Sequence, residues 1–383
     1  MAERDTENKL KKEQRACLPE SDELKIGCFG RLFDNTSECY KLFWFQVIVE
    51  KIAAGKESAS YEEIINEMIA DAWYMVAEFH LNLGPRDNLE FAVNRLVAIS
   101  GLKASDKKEK VLEYIENCKD PEVLRYKMIL TTNVPYRLQS PFLDWKTDDW
   151  NVGKKRLIER INTYYNLIYR FGCLDGLKTM IHFDEKWIEY IKRNKDIIRG
   201  WLKYNLVEYL QRRNPNVPGV IDKLYPPQER KLEDIQKYWK KIMIVHPVVE
   251  IYGDGMLTED DISIDHFVPW SYVANDEIWN LHPTKKRINS AKSNHLPKWE
   301  MYFEKLSSLE YLSYQLMWKY EGIHKEFEKV KKKHLNSQTV EGRLYAPNLS
   351  LDEFRGRLYE IVLPVYQSAK SAGFKEWEYT ENQ

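Results

Sequence analysis

An aspartate followed at once by a histidine, Asp265-His266, is the first pair whose types could do chemistry in this chain. A carboxylate is a ligand for hard cations, and an imidazole can give or take a proton near neutral pH. Two carboxamides follow: Asn280 stands 14 positions beyond the histidine (266 to 280), and Asn289 a further 9 (280 to 289). Between Thr284 and Lys298 lie Lys285, Lys286, Arg287 and Lys292 with no acidic residue, a local positive excess suited to phosphate. The chain as a whole hides it, because 58 basic and 59 acidic residues leave a net charge of −1. Each feature alone has a plainer explanation: a local strand-end bond for the Asp-His pair, turn or surface positions for the asparagines, a solvated face for the lysines. Only the joint spacing speaks for more.

The elements around these residues follow from pattern. Ile262 and Ile264 alternate with Ser263 and Asp265, which predicts a short half-buried strand ended by Pro269. Ile278 to Leu281 predicts a second strand, and Pro283-Thr284 the start of a helix carrying Lys285, Lys286, Arg287, Asn289 and Lys292. Elsewhere the chain reads as helical. Residues 1–25 are charged and aperiodic, a flexible tail. Over 26–213, Tyr40, Phe43, Trp44, Val47 and Ile48 mark one buried helix face, and Ser60 with Glu63 has the spacing of a capping box. Further helices are expected near 87–100, 106–118, 121–130, 153–171 and 184–213. Asn214-Pro215-Asn216-Val217-Pro218-Gly219 and Pro226-Pro227 forbid helix, so 214–229 reads as a linker. A core at 230–300, opening with a helix near 230–244, and a helical region at 301–383 complete a mainly α chain. The helical domain at 26–213 is expected to bind or regulate.

With strand, loop, strand and helix in that order, the segment from Ile262 to Pro297 resembles the ββα-metal core of HNH endonucleases. The likeness is closest to the HNH domain of RNA-guided CRISPR nucleases and to stand-alone bacterial defence-associated HNH endonucleases. It is carried by Asp265-His266 with Pro269, then Asn280, Asn289, Lys292-Ser293 and Pro297. At about one in twenty per position, such a match by chance is on the order of 10⁻⁵ in a chain this long, so the spacing outweighs the plainer explanations. The resemblance implies hydrolysis of phosphodiester bonds. His266 would be the general base, and Asp265 and Asn289 would hold one Mg²⁺ (or Mn²⁺). Asn280 would bridge the loop backbone and so orient His266, with Lys285, Lys286, Arg287 and Lys292 on the nucleic acid. It further implies DNA as substrate, a restriction or anti-phage setting, and as protein partner an ATPase or a second copy of the chain. Many relatives carry paired cysteines on a structural zinc. Here Cys17, Cys28, Cys39, Cys118 and Cys173 form no C-x-x-C pair, so packing must hold the core. Ile251 to Gly255, where the first such pair often falls, reads as a turn. His282 and His295 flank the site and could be alternative ligands, but with Asn289 already fitting the third position both read as ordinary histidines.

The rest of the chain narrows the reading. At 43% apolar and 13% aromatic residues it can build a folded core. No apolar run is long enough for a membrane span, and the expected location is the cytoplasm. Phosphate-loop, dinucleotide and nucleophile-elbow motifs are missing. Two alternatives stay open: a nucleic-acid-binding module with an inactive HNH fold, and an RNA-cleaving, toxin-like nuclease.

Overall fold

The computed structural model describes residues 18–34, 36, 38–225 and 232–380. The expected tail lies outside the described residues up to position 17, as do Pro226 and Pro227 of the linker. The chain is mainly α and divides into two compact units, one of residues 1–215 with 224–226, the other of 216–223 with 227–383. Among the described residues, no helix is long and apolar enough to cross a membrane.

In the first unit, α1 (Tyr40–Ala53) buries Phe43, Trp44, Val47 and Ile48 together. The helix α2 (Tyr61–Ala77) opens on a reciprocal cap: Ser60 Oγ accepts from Glu63 N at 3.2 Å, and Glu63 Oε2 accepts from Ser60 N at 2.7 Å. Asp87 and Asp120 cap the helices Asn88–Ser100 and Pro121–Leu130 by accepting from first-turn backbone N–H groups, without the reciprocal bond. Pattern reading expects helix over 153–171, but the helix is Lys154–Ile161. Beyond it Asn166 takes a left-handed φ of 61°, and Asn162 pairs through its amide with both backbone groups of Phe171. The chain therefore turns, and Tyr169–Phe171 joins Met180–Phe183 and Ser58–Ser60 in a three-stranded antiparallel sheet. Strands of three or four residues are too short to show a period of two, so they escape a pattern search. The long helix expected at 184–213 is two, α3 (Glu185–Arg193) and α4 (Lys195–Arg213), broken at Asn194.

The second unit is built around one apolar core. It begins with α5 (Glu233–Val245), followed by a hairpin closed by the antiparallel bridge Val249↔Met256. Next come β1 (Ile262–His266), β2 (Leu281–Lys285) and α6 (Lys286–Lys292). The two strands pair antiparallel, with Asp265 opposite His282 and Ile264 opposite Pro283. The second strand thus starts three residues later than its sequence pattern indicates, and Ile278–Asn280 is a single 3₁₀ turn. Pro283 is tolerated because Phe267 N bonds Asn280 O, so the ladder alternation turns residues 282 and 284 toward β1 and Pro283 toward the free edge. Nor is β1 half-buried: α6 covers the Ser263–Asp265 face, and Asp265 is 4% exposed.

Three long helices follow: α7 (Trp299–Lys319), α8 (Glu321–His334) and α9 (Leu351–Ser371). A short strand, β3 (Leu296–Pro297), pairs in parallel with β4 (Glu376–Trp377). Phe267, Leu281, Tyr302, Phe303, Leu358, Tyr366 and Trp377 belong to one buried cluster that runs across residue 300. The helices after residue 300 therefore pack into the same core as the elements before it. Aromatic packing helps hold this core: Trp299 stacks on Phe303 at 4.2 Å, and Phe267 meets Trp299 edge-on at 6.1 Å.

Glu310 of α7 is the outlier in this core. It is buried, its Oε1 has no partner, and burial pushes its carboxyl well above the ordinary 4.5. The unfolded chain releases this proton near pH 4.5 while the folded chain keeps it. Stability is therefore lost as pH rises above that value. Glu310→Gln should raise the melting temperature by several degrees at pH 8 and change it little at pH 4.5. Equal melting curves at pH 8 would contradict the assignment.

Candidate active site

The strand β1 delivers the Asp-His pair. Its alternation sends Ser263 and Asp265 toward α6, and His266 ends the strand. The chain is pinned immediately afterwards. Asn280, fully buried, accepts from Val268 N through Oδ1 at 2.8 Å and donates to Val268 O through Nδ2 at 2.9 Å. This carboxamide acts as a backbone segment would, satisfying both polar groups of a buried loop residue two positions after His266.

Asn289 comes from the middle of α6. Its Nδ2 donates to Ser263 Oγ at 2.8 Å and to Ile264 O at 3.1 Å, so the helix is stitched to β1 next to Asp265. Three residues later on the same helix face, Lys292 turns inward and is wholly buried. Its Nζ donates to His266 O at 2.8 Å and to Asp265 Oδ1 at 3.1 Å. This corrects the sequence reading, which puts Lys292 on the nucleic acid: an ammonium spent on two internal acceptors is not presented to a phosphate. Lys285 is half-buried, while Lys286 and Arg287 are exposed, and these three remain at the surface.

The other Asp265 oxygen, Oδ2, accepts from the Tyr252 hydroxyl at 2.8 Å and lies 3.6 Å from His282 Nε2. Burial, reinforced by the Asp265 charge, pushes the Tyr252 hydroxyl well above its ordinary value, so it stays a donor. Burial holds the His282 imidazole down at about 4, with Asp265 opposing and Lys292 adding to the shift. His282 is neutral at pH 7, and both its ring nitrogens are buried without a hydrogen-bond partner. Next to it, Glu250 accepts from Thr284 Oγ1 at 2.8 Å and from Gly253 N at 2.5 Å, anchoring the hairpin that carries Tyr252. His295 contacts Lys292 O through Nδ1 at 3.0 Å.

On His266 itself, Nε2 lies 2.8 Å from Asp276 Oδ1. The sequence reading places Tyr252 in a turn and Asp276 in a polar loop and gives neither a role in the site. Neither sits in a periodic element, so pattern offers no signal for them.

A carboxylate and an amide oxygen are the donor types that a hard divalent cation takes. Asp265 offers a carboxylate whose two oxygens have accepted one strong bond each and keep further lone pairs, and Asn289 has its amide nitrogen, not its oxygen, tied to β1. Among the described residues no group of three or more His, Cys, Asp or Glu is arranged to hold a metal. A site of one carboxylate and one amide oxygen matches an ion that keeps most of its water.

A family model described as HNH endonuclease matches residues 250–298, which span the Tyr252 hairpin, β1, β2, α6 and β3. No curated protein and no solved structure matches the chain. The segment 250–298 is thus similar to the HNH endonuclease family.

Proposed function

We propose that this chain is a divalent-metal-dependent endonuclease that hydrolyses phosphodiester bonds in DNA. The observation that supports it most is the stitching of Asn289 to β1 beside Asp265, with His266 the next residue. In this reading Asp265 and Asn289 hold Mg²⁺, or Mn²⁺ in its place. Bound there, the ion supplies positive charge to the phosphorane and the departing oxygen. His266 removes a proton from the attacking water. Asn280 fixes the loop behind the imidazole, and Lys292 holds the Asp265 carboxylate and the His266 carbonyl in one geometry. Lys285 at the end of β2 and Lys286 and Arg287 in the first turn of α6 meet the phosphate backbone. The preference for DNA over RNA, a role in bacterial restriction or anti-phage defence, and an ATPase or second copy as partner rest on the likeness to stand-alone HNH proteins. Residues 26–213 are assigned to binding or regulation, upstream of the nuclease core at 230–300.

Incubation of the full chain with supercoiled plasmid and with a single-stranded RNA, with Mg²⁺ or Mn²⁺ and then with excess EDTA, tests this reading. Plasmid should be nicked or linearised only while free metal is present. Asn289→Ala should lower the rate on the order of 10²-fold at limiting metal and recover part of it in excess metal. Cleavage indifferent to EDTA, or RNA cut in preference to DNA, would overturn it.

A further inference from the structure

The loop between β1 and β2 holds a second acid next to the proposed base. Asp276 Oδ1 is 2.8 Å from His266 Nε2, and the two side chains are only 21% and 7% exposed. The loop is not left to wander. His334 Nδ1, at the last residue of α8, donates to Asp276 O at 3.0 Å. The Glu277 carboxylate accepts from Asn336 Nδ2 at 2.7 Å and from Asn336 N at 3.3 Å, while Glu277 O accepts from Asn280 N at 2.9 Å. Three anchors, two of them from beyond residue 330, therefore fix a carboxylate that would otherwise ride on a surface turn.

We infer that Asp276 is the positioning residue for His266, and that the end of α8 holds it in place. The inference rests on the reading of His266 as the general base. A carboxylate can only accept, so His266 Nε2 carries the hydrogen and the lone pair resides on Nδ1. The proton transfer then has one address. A water O–H bond breaks, its proton goes to Nδ1, and the oxygen keeps the electron pair and attacks phosphorus. The departing ester oxygen takes its proton from solvent. Asp276 stabilises the imidazolium that forms, and it stops the ring from presenting Nε2 in place of Nδ1.

The test uses the full chain carrying His266→Ala, Asp276→Ala, Asp276→Asn, Asp276→Glu and the double variant His266→Ala with Asp276→Ala. Plasmid cleavage is measured with Mg²⁺, and ¹⁵N-histidine spectra report the tautomer of His266. Asp276→Ala and Asp276→Asn should lower kcat on the order of 10²-fold with KM nearly unchanged, and Asp276→Glu should regain most of the loss. The double variant should be no slower than His266→Ala, because the second change acts only through the first. The spectra should show hydrogen on Nε2 in the wild type and a tautomer mixture in Asp276→Ala. Wild-type kcat in the Asp276 variants, or an unchanged tautomer, overturns the role of Asp276 while a slow His266→Ala leaves the base assignment standing. If His266→Ala is itself as fast as wild type, the base assignment fails, and Asp276 with it.

Discussion

His266→Ala should slow cleavage of supercoiled DNA by roughly 10²–10⁴-fold at neutral pH, with binding of the same DNA to the unreactive variant left within a few fold. The argument is one of place and charge. His266 ends β1 between two fixed points, the Asp265–His282 rung of the ladder before it and the Asn280–Val268 pair after it. Loss of the ring leaves that backbone frame intact, because Asn280 and Lys292 hold main-chain atoms and not the imidazole. The loss should therefore fall on kcat. Timed plasmid nicking together with gel-shift binding measures both. Nicking at the wild-type rate would remove the general base from this site and favour a binding module that no longer cuts.

The second large effect is on stability. Lys292→Met should destabilise the unit that carries the nuclease segment by about 3–5 kcal/mol, since it strips a buried carboxylate of its only cationic partner among the bonds described for it. Tyr252 would remain on Oδ2, and His282, neutral at pH 7, cannot replace the charge. The His266 carbonyl would lose its donor as well. For a unit of this size the change corresponds to a fall in melting temperature of roughly 10 °C. Adding Asp265→Asn to Lys292→Met should recover part of the loss, because the uncompensated charge is then gone. Calorimetry on the three variants decides it: a Lys292→Met melting curve within a degree or two of wild type would mean that the ammonium is not the counter-charge of Asp265.

The HNH-like segment is legible in the sequence because its geometry is local. Asp265, His266, Asn280 and Asn289 lie within one strand, one turn and one helix, so fixed offsets translate directly into fixed positions. Lys292 was misread for a reason that helix phase explains. The run Lys285, Lys286, Arg287 and Lys292 looks like one basic set. Yet Lys292 follows Asn289 by three residues and shares its inward face, whereas Lys286 and Arg287 face solvent. Pro283 displaced the second strand because a proline reads as a helix opener unless the free edge of a two-stranded ladder is known in advance. Tyr252 and Asp276 act across turns, and turns carry no period to read. The small sheet of the first unit was missed on similar grounds, since its three short strands are joined across more than a hundred residues.

The parallel pairing of β3 with β4 has a consequence for synthesis. Leu296 leaves the ribosome 80 residues before its partner Glu376 (296 to 376). Until then the aromatic wall that Trp377 shares with Tyr252 and Tyr302 is open on one side. A nascent chain that already holds every residue of 250–298 thus lacks the strand that pairs with β3 until residues 376 and 377 have been made.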